Sequence, residues 1–282
     1  MTTSSPVYSF EFFPPKTPEG IAKLENTSRA LARLKPRFFS VTFGAGGSTR
    51  EKTFETVVDI HDTSGIEVAP HISCISSTRE NIREMLTAYQ EQDIRHIVAL
   101  RGDLPSGMGE SGEFRYANEL VTFIRAETGD HFHIEVAAYP EYHPQSVSPD
   151  RDLASFKRKV EAGADSAITQ YFYNPDAYFH FIDRCAQADI HIPVVPGIMP
   201  ITNYHQLARF SDNCGAEIPR WIRRRLEGFG EDIRSIRDFG EEVVTGLCTR
   251  LLEQGVPGLH FYTLNRAGPS IAIWKNLGLG SR

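Results

Sequence analysis

Short runs of β-branched and aromatic residues alternate along this chain with longer segments of helical periodicity. Runs of this kind, bounded by glycine, proline and polar residues, are typical of β-strands. Eight candidate strands are present, at Val7–Phe13, Phe38–Gly44, Glu67–Cys74, His96–Gly102, His133–Pro140, Ser166–Tyr173, Ile192–Met199 and Gly258–Asn265. Most successive strands begin about 30 residues apart, which is the length of a strand followed by a crossover helix.

The segments between the strands carry helix signals. Ser77 precedes Glu80 by the three positions of a capping box, which predicts that a helix begins there. The gap between the seventh and eighth strands is longer than the others. It predicts additional helices around Ile218–Glu227 and Asp232–Gln254.

Eight strands alternating with helices predict an α/β fold of the (β/α)8 type, the TIM barrel, for which about 250 residues is typical. An open doubly wound sheet is the alternative, but it often carries Gly-x-Gly-x-x-Gly after its first strand. This chain has Pro14-Pro15-Lys16 at that point. The 282 residues contain no linker rich in proline, glycine and serine, so we expect a single domain over residues 1–282.

The composition, with 40% hydrophobic and 23% charged residues, is that of a soluble globular protein. The net charge of −6 does not favour binding to nucleic acid or to a membrane surface. No apolar stretch approaches the roughly 18 residues of a spanning helix, and residues 1–6 lack the features of a signal peptide. We therefore expect a cytoplasmic protein, and its four scattered cysteines are expected to be reduced.

Polar side chains gather where the predicted strands end. In a barrel these carboxyl ends meet at one rim, and the active site lies there. The rim residues are Glu11, Thr42, His71, Ser73, Arg101, Asp103, Tyr139, His143, Gln170 and the segment from Tyr262 to Arg266. Together they predict a site for a large polar ligand, and the aromatic residues among them suit a planar ring.

Glu11 lies in the aromatic run Ser9-Phe10-Glu11-Phe12-Phe13. Desolvation by such neighbours disfavours the charged form of a carboxyl group, and a carboxyl that keeps its proton can act as a general acid. Strand alternation offers the opposite interpretation, in which Glu11 faces solvent while Phe10 and Phe12 face the core. The segment alone slightly favours solvent, but its place as the first barrel strand favours the catalytic rim.

Other rim features each allow two interpretations. The glycine-rich segment 44–49 could cradle a phosphate or admit a flat ring, or it could be a plain turn. Arg101 and Asp103 could form a structural salt bridge or clamp a ligand. His143, in a proline-flanked loop, is a better ligand candidate than His71, which could be a satisfied core histidine.

The fifth helix carries Arg158 and Lys159, which would ordinarily form a solvated basic face. Basic groups near the rim also suit an anionic ligand such as a diphosphate. We expect no metal site, because His71 and His143 stand on different strands and no acidic cluster accompanies them at ligand spacing.

Several ordered blocks closely resemble bacterial methylenetetrahydrofolate reductases. They are Phe10-Glu11-Phe12-Phe13-Pro14-Pro15-Lys16, Val41-Thr42-Phe43-Gly44-Ala45-Gly46-Gly47, Arg101-Gly102-Asp103, Ala138-Tyr139-Pro140-Glu141, Ile168-Thr169-Gln170, Pro196-Gly197-Ile198-Met199-Pro200 and His260-Phe261-Tyr262-Thr263-Leu264-Asn265-Arg266-Ala267. The resemblance runs nearly end to end. It implies the catalytic barrel of that family, without a regulatory domain, and a homo-oligomer.

The resemblance implies a noncovalent FAD that is reduced by NADH or NADPH and passes a hydride to 5,10-methylenetetrahydrofolate. The product, 5-methyltetrahydrofolate, supplies one-carbon units to methionine synthesis. The positions that match FAD-binding positions of the family are Phe43, Ala45, His71, Arg101, Gly102, Asp103, Tyr116, Ala117, Tyr139, His143, Ser146, Asp152, Ser155, Arg158 and Lys159. Arg158 and Lys159 thereby become expected partners of the anionic part of the cofactor.

The resemblance also implies the catalytic roles. Glu11 matches the general acid, which gives a proton to the departing nitrogen as the folate ring opens to an iminium cation. Asp103 matches the aspartate beside the flavin pyrimidine edge, where its charge would stabilise that cation. The positions that match substrate contacts are Gln170 for the pterin, Thr42 and Tyr204 near the nicotinamide, Asp103, and Arg266 for the folate.

Two other functions remain open on the sequence. A barrel lyase or aldolase could use Glu11 as a base, but it would need a strand-end lysine or a metal, and Lys16 lies beyond the proline pair. A flavin-free, folate-binding regulatory barrel would keep the fold without the redox chemistry.

Overall fold

The computed structural model describes residues 6–43, 50–75, 77–102 and 112–279. The strands are β1 (Val7–Phe12), β2 (Phe38–Val41), β3 (Glu67–Ser73), β4 (His96–Leu100), β5 (His133–Ala138), β6 (Ser166–Thr169), β7 (Val194–Val195), β8 (Gly197–Ile198) and β9 (Gly258–Tyr262). The helices are α1 (Pro18–Ala32), α2 (Arg50–Ser64), α3 (Arg79–Glu91), α4 (Ala117–Thr128), α5 (Pro149–Glu161), α6 (Pro175–Gln187), α7 (Tyr204–Cys214), α8 (Arg220–Gly228), α9 (Ile233–Glu253) and α10 (Ala267–Asn276).

All the strand pairs are parallel, and the sheet order is β7-β6-β5-β4-β3-β2-β1-β9-β8. The two ends of this order, β7 and β8, are consecutive in the chain, so the sheet returns on itself. The predicted (β/α)8 barrel is confirmed. The additional helices expected before the last strand are also present, as α8 and α9, and α7 precedes them.

The predicted seventh strand, Ile192–Met199, is not continuous. Pro196 divides it into β7, which pairs with β6, and β8, which pairs with β9. Proline has no N–H to donate to a neighbouring strand, although the Pro196 carbonyl still accepts from the His260 N–H at 2.9 Å. The barrel therefore closes through two short strands with a proline between them.

The strands are also shorter than predicted at several carboxyl ends, because the chain leaves the sheet to build the rim. Gly102, which was expected within the fourth strand, has φ +87 and lies beyond Leu100. Helix α3 begins differently from the prediction as well. Thr78 caps it by accepting from the Asn81 N–H at 3.2 Å, whereas the Ser77 hydroxyl bonds the Ser73 carbonyl at 3.2 Å.

The buried hydrophobic side chains of the described residues form two clusters. The larger cluster lies between the strands and the surrounding helices, where Phe10 stacks on Phe261 with ring centroids 5.4 Å apart. A smaller group fills the barrel itself and includes Phe38, Val98 and Ile168. Side chains of a strand alternate between these two regions. Within the described ranges, no helix combines the length and apolar character needed to cross a membrane.

Candidate active site

Two adjoining cavities open at the carboxyl ends of the strands. The inner cavity, about 350 Å³, lies over the barrel interior, and its walls include Glu11, His71, Gln170 and Tyr262. The outer groove, about 580 Å³, extends from the ends of β4 and β5 towards α4 and α5. The two spaces share Leu100, Ala137 and Tyr139 as walls. One elongated ligand can therefore occupy both.

Glu11 faces the barrel interior and reaches the inner cavity. Its neighbours in the sheet are Ser40 on β2 and Tyr262 on β9. The side chain keeps 17% of its exposure, and its Oε2 atom lies 3.4 Å from His71 Nε2 and 3.6 Å from His260 Nε2. The carboxyl group is thus held between two imidazoles at the floor of the cavity.

The prediction that aromatic side chains of the same strand surround the Glu11 carboxyl group is wrong. Phe10 and Phe12 belong to the outer core between strands and helices, because they alternate with Glu11 along β1. Phe13 is 36% exposed. The solvent-facing alternative also fails, since the face opposite Phe10 and Phe12 is the interior of a closed barrel. The polar character of that interior comes from histidine and tyrosine.

The two histidines are themselves buried. His260 accepts or donates one hydrogen bond through Nδ1 to the Ser9 hydroxyl at 2.7 Å. Burial lowers the pKa of His71, with a smaller opposing effect from Glu11 and a further lowering effect from His260. Among the described residues, neither Nε2 atom has a hydrogen-bond partner of good geometry. Both nitrogens therefore remain able to bond a ligand or the Glu11 carboxyl.

Two aromatic residues that line the inner cavity, Tyr171 and Tyr262, are not among the positions that match family contacts, although Tyr262 lies in the predicted rim segment. His260 and Tyr262 share one face of β9, and Tyr171 follows β6. The Tyr262 hydroxyl donates to the Thr169 carbonyl at 2.7 Å, and the Tyr171 hydroxyl bonds Ser211 at 3.0 Å. The alternation of His260 and Tyr262 along the last strand is the signal that could have identified them.

The outer groove brings together most of the residues that match FAD-binding positions. Those lining it are Arg101, Gly102, Tyr116, Ala117, Tyr139, His143, Ser146, Asp152, Ser155, Arg158 and Lys159. Gly102 has to be glycine, because a Cβ atom there would lie 1.9 Å from the Ser73 hydroxyl. The first residues of α4 also line the groove, and a helix N-terminus favours negative charge.

Lys159 is a partly buried cation of the groove. Its Nζ donates to the Ala137 carbonyl at the end of β5. Burial lowers the pKa of Lys159 to about 8, and the nearby Asp152 opposes this effect. Arg158 remains exposed, and its guanidinium donates to the Ser155 hydroxyl at 2.9 Å. The interpretation as a solvated basic face therefore holds for Arg158 but not for Lys159. The groove as a whole suits an anion.

The other predicted site residues lie outside these two cavities or outside the described residues. Thr42 and Phe43 follow β2, and neither lines the inner cavity or the groove. The Tyr204 hydroxyl donates to Glu227 at 2.8 Å. Arg266 lines a separate cavity of about 420 Å³ near α9 and α10. Ala45 and Asp103 are not among the described residues.

Glu141 lies beside the inner cavity and accepts from the Glu217 N–H at 2.8 Å. Burial raises the pKa of its carboxyl from 4.5 to about 7. Between pH 4.5 and 7 the folded protein therefore holds a proton on Glu141 that the unfolded chain lacks. The stability that the protonated Glu141 contributes to the folded state is fully present below pH 4.5 and is lost as the pH rises through 7.

We expect Glu141→Gln to remove this dependence, because the amide stays neutral and its oxygen can still accept from Glu217. Relative to the original protein, the variant should gain about 2–4 °C in melting temperature at pH 8, after discounting for partial exposure. The gain should vanish near pH 5. Thermal unfolding across this range measures it, and a constant difference at all pH values would contradict the assignment.

Comparisons with known proteins place these features in one family. The sequence profile described as Methylenetetrahydrofolate reductase matches residues 1–278. The 5,10-methylenetetrahydrofolate reductase of Escherichia coli K12 is 44% identical over 271 residues, covering 96% of this chain and 90% of that one. Methylenetetrahydrofolate reductase (NADH) 1 of Arabidopsis thaliana is 38% identical over 285 residues, covering 96% of this chain and 48% of that one.

A solved structure supports the fold at lower identity. It is described as an uncharacterized Clostridium thermocellum protein that binds two copies of 5-methyl-5,6,7,8-tetrahydrofolic acid, and it superposes with a TM-score of 0.68 at 14% identity. The match covers 98% of this chain and 94% of that one. On the strength of the profile and the bacterial relatives, the chain belongs to the methylenetetrahydrofolate reductase family.

Proposed function

We propose that this protein reduces 5,10-methylenetetrahydrofolate to 5-methyltetrahydrofolate with NADH or NADPH, in two half-reactions through a noncovalently bound FAD. The observation that carries the proposal is the pair of connected cavities, one holding Glu11 and Gln170 and the other lined by cations. Family membership supports the reaction. The product is a methyl donor of the kind that methionine synthesis consumes.

The groove fits the chemistry of FAD. Its cations Arg101, Arg158 and Lys159, together with the N-terminus of α4, suit a diphosphate. The residues that would hold the cofactor are those of the groove, with Phe43, Ala45, His71 and Asp103 added from the family resemblance. When bound, FAD supplies two-electron transfer from the nicotinamide to the folate. Tyr139 would contact the planar ring of the cofactor, because it lines both the groove and the inner cavity.

Glu11 would give its proton to the departing nitrogen of the folate. The carbon–nitrogen bond then breaks, its electron pair stays on that nitrogen, and the methylene carbon becomes part of an iminium cation that accepts a hydride. His71 and His260, 3.4 and 3.6 Å from Glu11, hold the carboxyl group in place. Gln170 would bond the pterin, and the charge of Asp103 would stabilise the cation.

The identity of the electron donor, NADH or NADPH, is the more specific part of the proposal. Two plant relatives carry NADH in their names, and NADH is therefore the donor to test first. Thr42 and Tyr204 would lie near the nicotinamide and Arg266 near the folate, as the family resemblance implies. We also expect a homo-oligomer, which light scattering of the purified protein would measure.

Purification of the full chain tests the proposal directly. The protein should be yellow, its flavin absorbance should bleach with NADH or NADPH under anaerobic conditions, and methylenetetrahydrofolate should restore the colour. Colourless protein that does not take up added FAD would instead support a flavin-free folate-binding barrel. Reduced flavin that methylenetetrahydrofolate fails to reoxidise would contradict the folate half-reaction.

A further inference from the structure

A second polar cluster lies at the opposite end of the barrel from Glu11. His96 and His133 are the first residues of β4 and β5, and Glu135 follows on β5. Their side chains meet because β4 and β5 pair with His96 opposite His133. We call these three residues the basal cluster. The proposed reaction uses none of them.

The ligand-type atoms of the basal cluster converge. Glu135 Oε1 lies 3.3 Å from His96 Nε2 and 3.7 Å from His133 Nε2, and one such atom from each residue falls within 4.8 Å of the others. The side chains of His96 and Glu135 are 6% and 4% exposed, whereas that of His133 is 46% exposed. The cluster is therefore buried on two sides and open to solvent on the third.

Two buried atoms of the basal cluster lack a well-formed hydrogen bond, although His96 Nε2 lies 3.3 Å from Glu135 Oε1. Among the described residues, neither His96 Nε2 nor Glu135 Oε2 has a hydrogen-bond partner of acceptable geometry. An unpaired buried polar atom costs about 1–3 kcal/mol. The His96 ring is fixed by packing against Phe38, with ring centroids 4.2 Å apart, so it cannot easily turn away. A ligand held by these atoms would remove the cost.

Further carboxylates face the far side of both imidazoles. His96 Nδ1 lies 3.9 Å from Glu67, and His133 Nδ1 lies 3.9 Å from Asp165. In metal sites a histidine usually directs one nitrogen to the metal and the other to a carboxylate, carbonyl or water, which fixes its tautomer. Here both Nε2 atoms point towards Glu135 while both Nδ1 atoms point towards an outer carboxylate.

We propose that His96, His133 and Glu135 bind one Zn²⁺ ion, with water completing the coordination. Two imidazoles and one carboxylate with an open fourth position are a known zinc ligand set. Ligand atoms around tetrahedral zinc lie about 3.3 Å apart, given bonds of about 2 Å, so atoms that now lie up to 4.8 Å apart need to approach by up to about 1.5 Å. The Ser166 hydroxyl, now 2.6 Å from His133 Nε2, would give up that contact to the ion.

The bound ion would stabilise the amino end of the barrel, because it would link β4 to β5 through their side chains. Binding to the folded state alone stabilises it by mass action. The experiment uses the full chain without an affinity tag, stripped of metal with a chelator and then titrated with Zn²⁺. Calorimetry should give one ion per chain, and Zn²⁺ should raise the melting temperature. Co²⁺ should give the visible absorption of a tetrahedral site.

Substitutions test whether the ion binds at the basal cluster. His133→Ala and Glu135→Gln should weaken Zn²⁺ binding at least tenfold and abolish the thermal shift. His191→Ala is the surface control, because His191 pairs only with the exposed Asp189 at 2.8 Å among the described residues. Glu11→Gln is the second control, since Glu11 also lies between two histidines. Both controls should bind Zn²⁺ as the original chain does.

Three results would overturn the proposal. The original chain could fail to bind Zn²⁺ stoichiometrically, His133→Ala could bind it unchanged, or Glu11→Gln could abolish binding and so move the ion to the rim. Flavin content and reduction by NADH are measured in parallel. If the protein binds Zn²⁺ at this site but contains no flavin, the metal site is supported and the proposed FAD-dependent function is contradicted.

Discussion

Replacing Glu11 with glutamine should leave FAD bound and reducible by NADH, while folate reduction slows by about 10²–10⁴-fold, the range for loss of a general acid. Glutamine fills the same space between His71 and His260 but has no acidic proton to give. The nicotinamide half-reaction needs no proton from this position. The effect should therefore fall on one half-reaction alone.

Rapid mixing measures the two steps separately. Flavin bleaching by NADH reports the first half-reaction, and the return of absorbance on adding methylenetetrahydrofolate reports the second. Glu135→Gln is the matched control, because it makes the same change at the opposite end of the barrel interior. It should alter neither rate by more than about twofold. Retention of rapid folate reduction by Glu11→Gln would remove Glu11 from its role as the acid.

The surroundings of Glu11 fit proton donation without a fixed positive charge. Burial lowers the pKa of His71, which favours the neutral form of this ring. A neutral imidazole can donate or accept one hydrogen bond, which lets it contact a carboxyl group in either protonation state. His71 can thus orient the Glu11 side chain throughout the cycle.

The sequence predicted the barrel because the strand pattern is strong and repeats eight times. It did not predict the interruption at Pro196, since a proline near a strand end is compatible with a continuous strand until the pairing of both neighbours is known. Several predicted strands also extend beyond the carboxyl ends of the observed strands. The residues that build a rim, such as Gly102, continue the polar and aromatic pattern after the ladder of hydrogen bonds has ended.

The candidate site was partly accessible from the sequence. The rim positions of Glu11, Tyr139 and Gln170 follow from strand order alone. Alternation along the last strand places His260 and Tyr262 on one face, but it does not predict their contact with Glu11, because they meet Glu11 only when the barrel closes β9 against β1. Closure is a long-range event that no local spacing reports.

Two other features required the tertiary arrangement. Lys159 lies on a helix, and only the packing of α5 against the sheet brings its amino group to the Ala137 carbonyl. The spacing of histidine and acidic residues in the sequence does not predict the basal cluster, for a similar reason. Its histidines belong to neighbouring strands far apart in the chain, and they meet through the pairing of β4 with β5.

Gly197→Ala should destabilise the fold by about 3 kcal/mol or more, the upper part of the range for overpacking. The backbone of Gly197 does not have positive φ, so the expected loss is steric. An added Cβ atom would lie 2.1 Å from the Thr169 carbonyl oxygen and 2.6 Å from Tyr262 Cε2. Relief requires β6 and β8 to separate at the barrel closure. This would also stretch the 2.9 Å bond from the Gly197 N–H to the Thr169 hydroxyl.

Gly246→Ala is the matched control, because a Cβ atom at that position of α9 would meet nothing within 4 Å. It should stabilise the protein by about 0.5–1 kcal/mol through helix propensity alone. Urea unfolding of both variants gives the comparison. If the urea midpoint of Gly197→Ala equals that of the original protein, the contact between β6 and β8 accommodates a methyl group and the prediction is wrong. Tyr262 forms a wall of the inner cavity, so the same methyl group should move this ring towards Glu11. Molecules of the variant that do fold should then bind folate more weakly while still binding FAD, which links the closure of the barrel to its substrate.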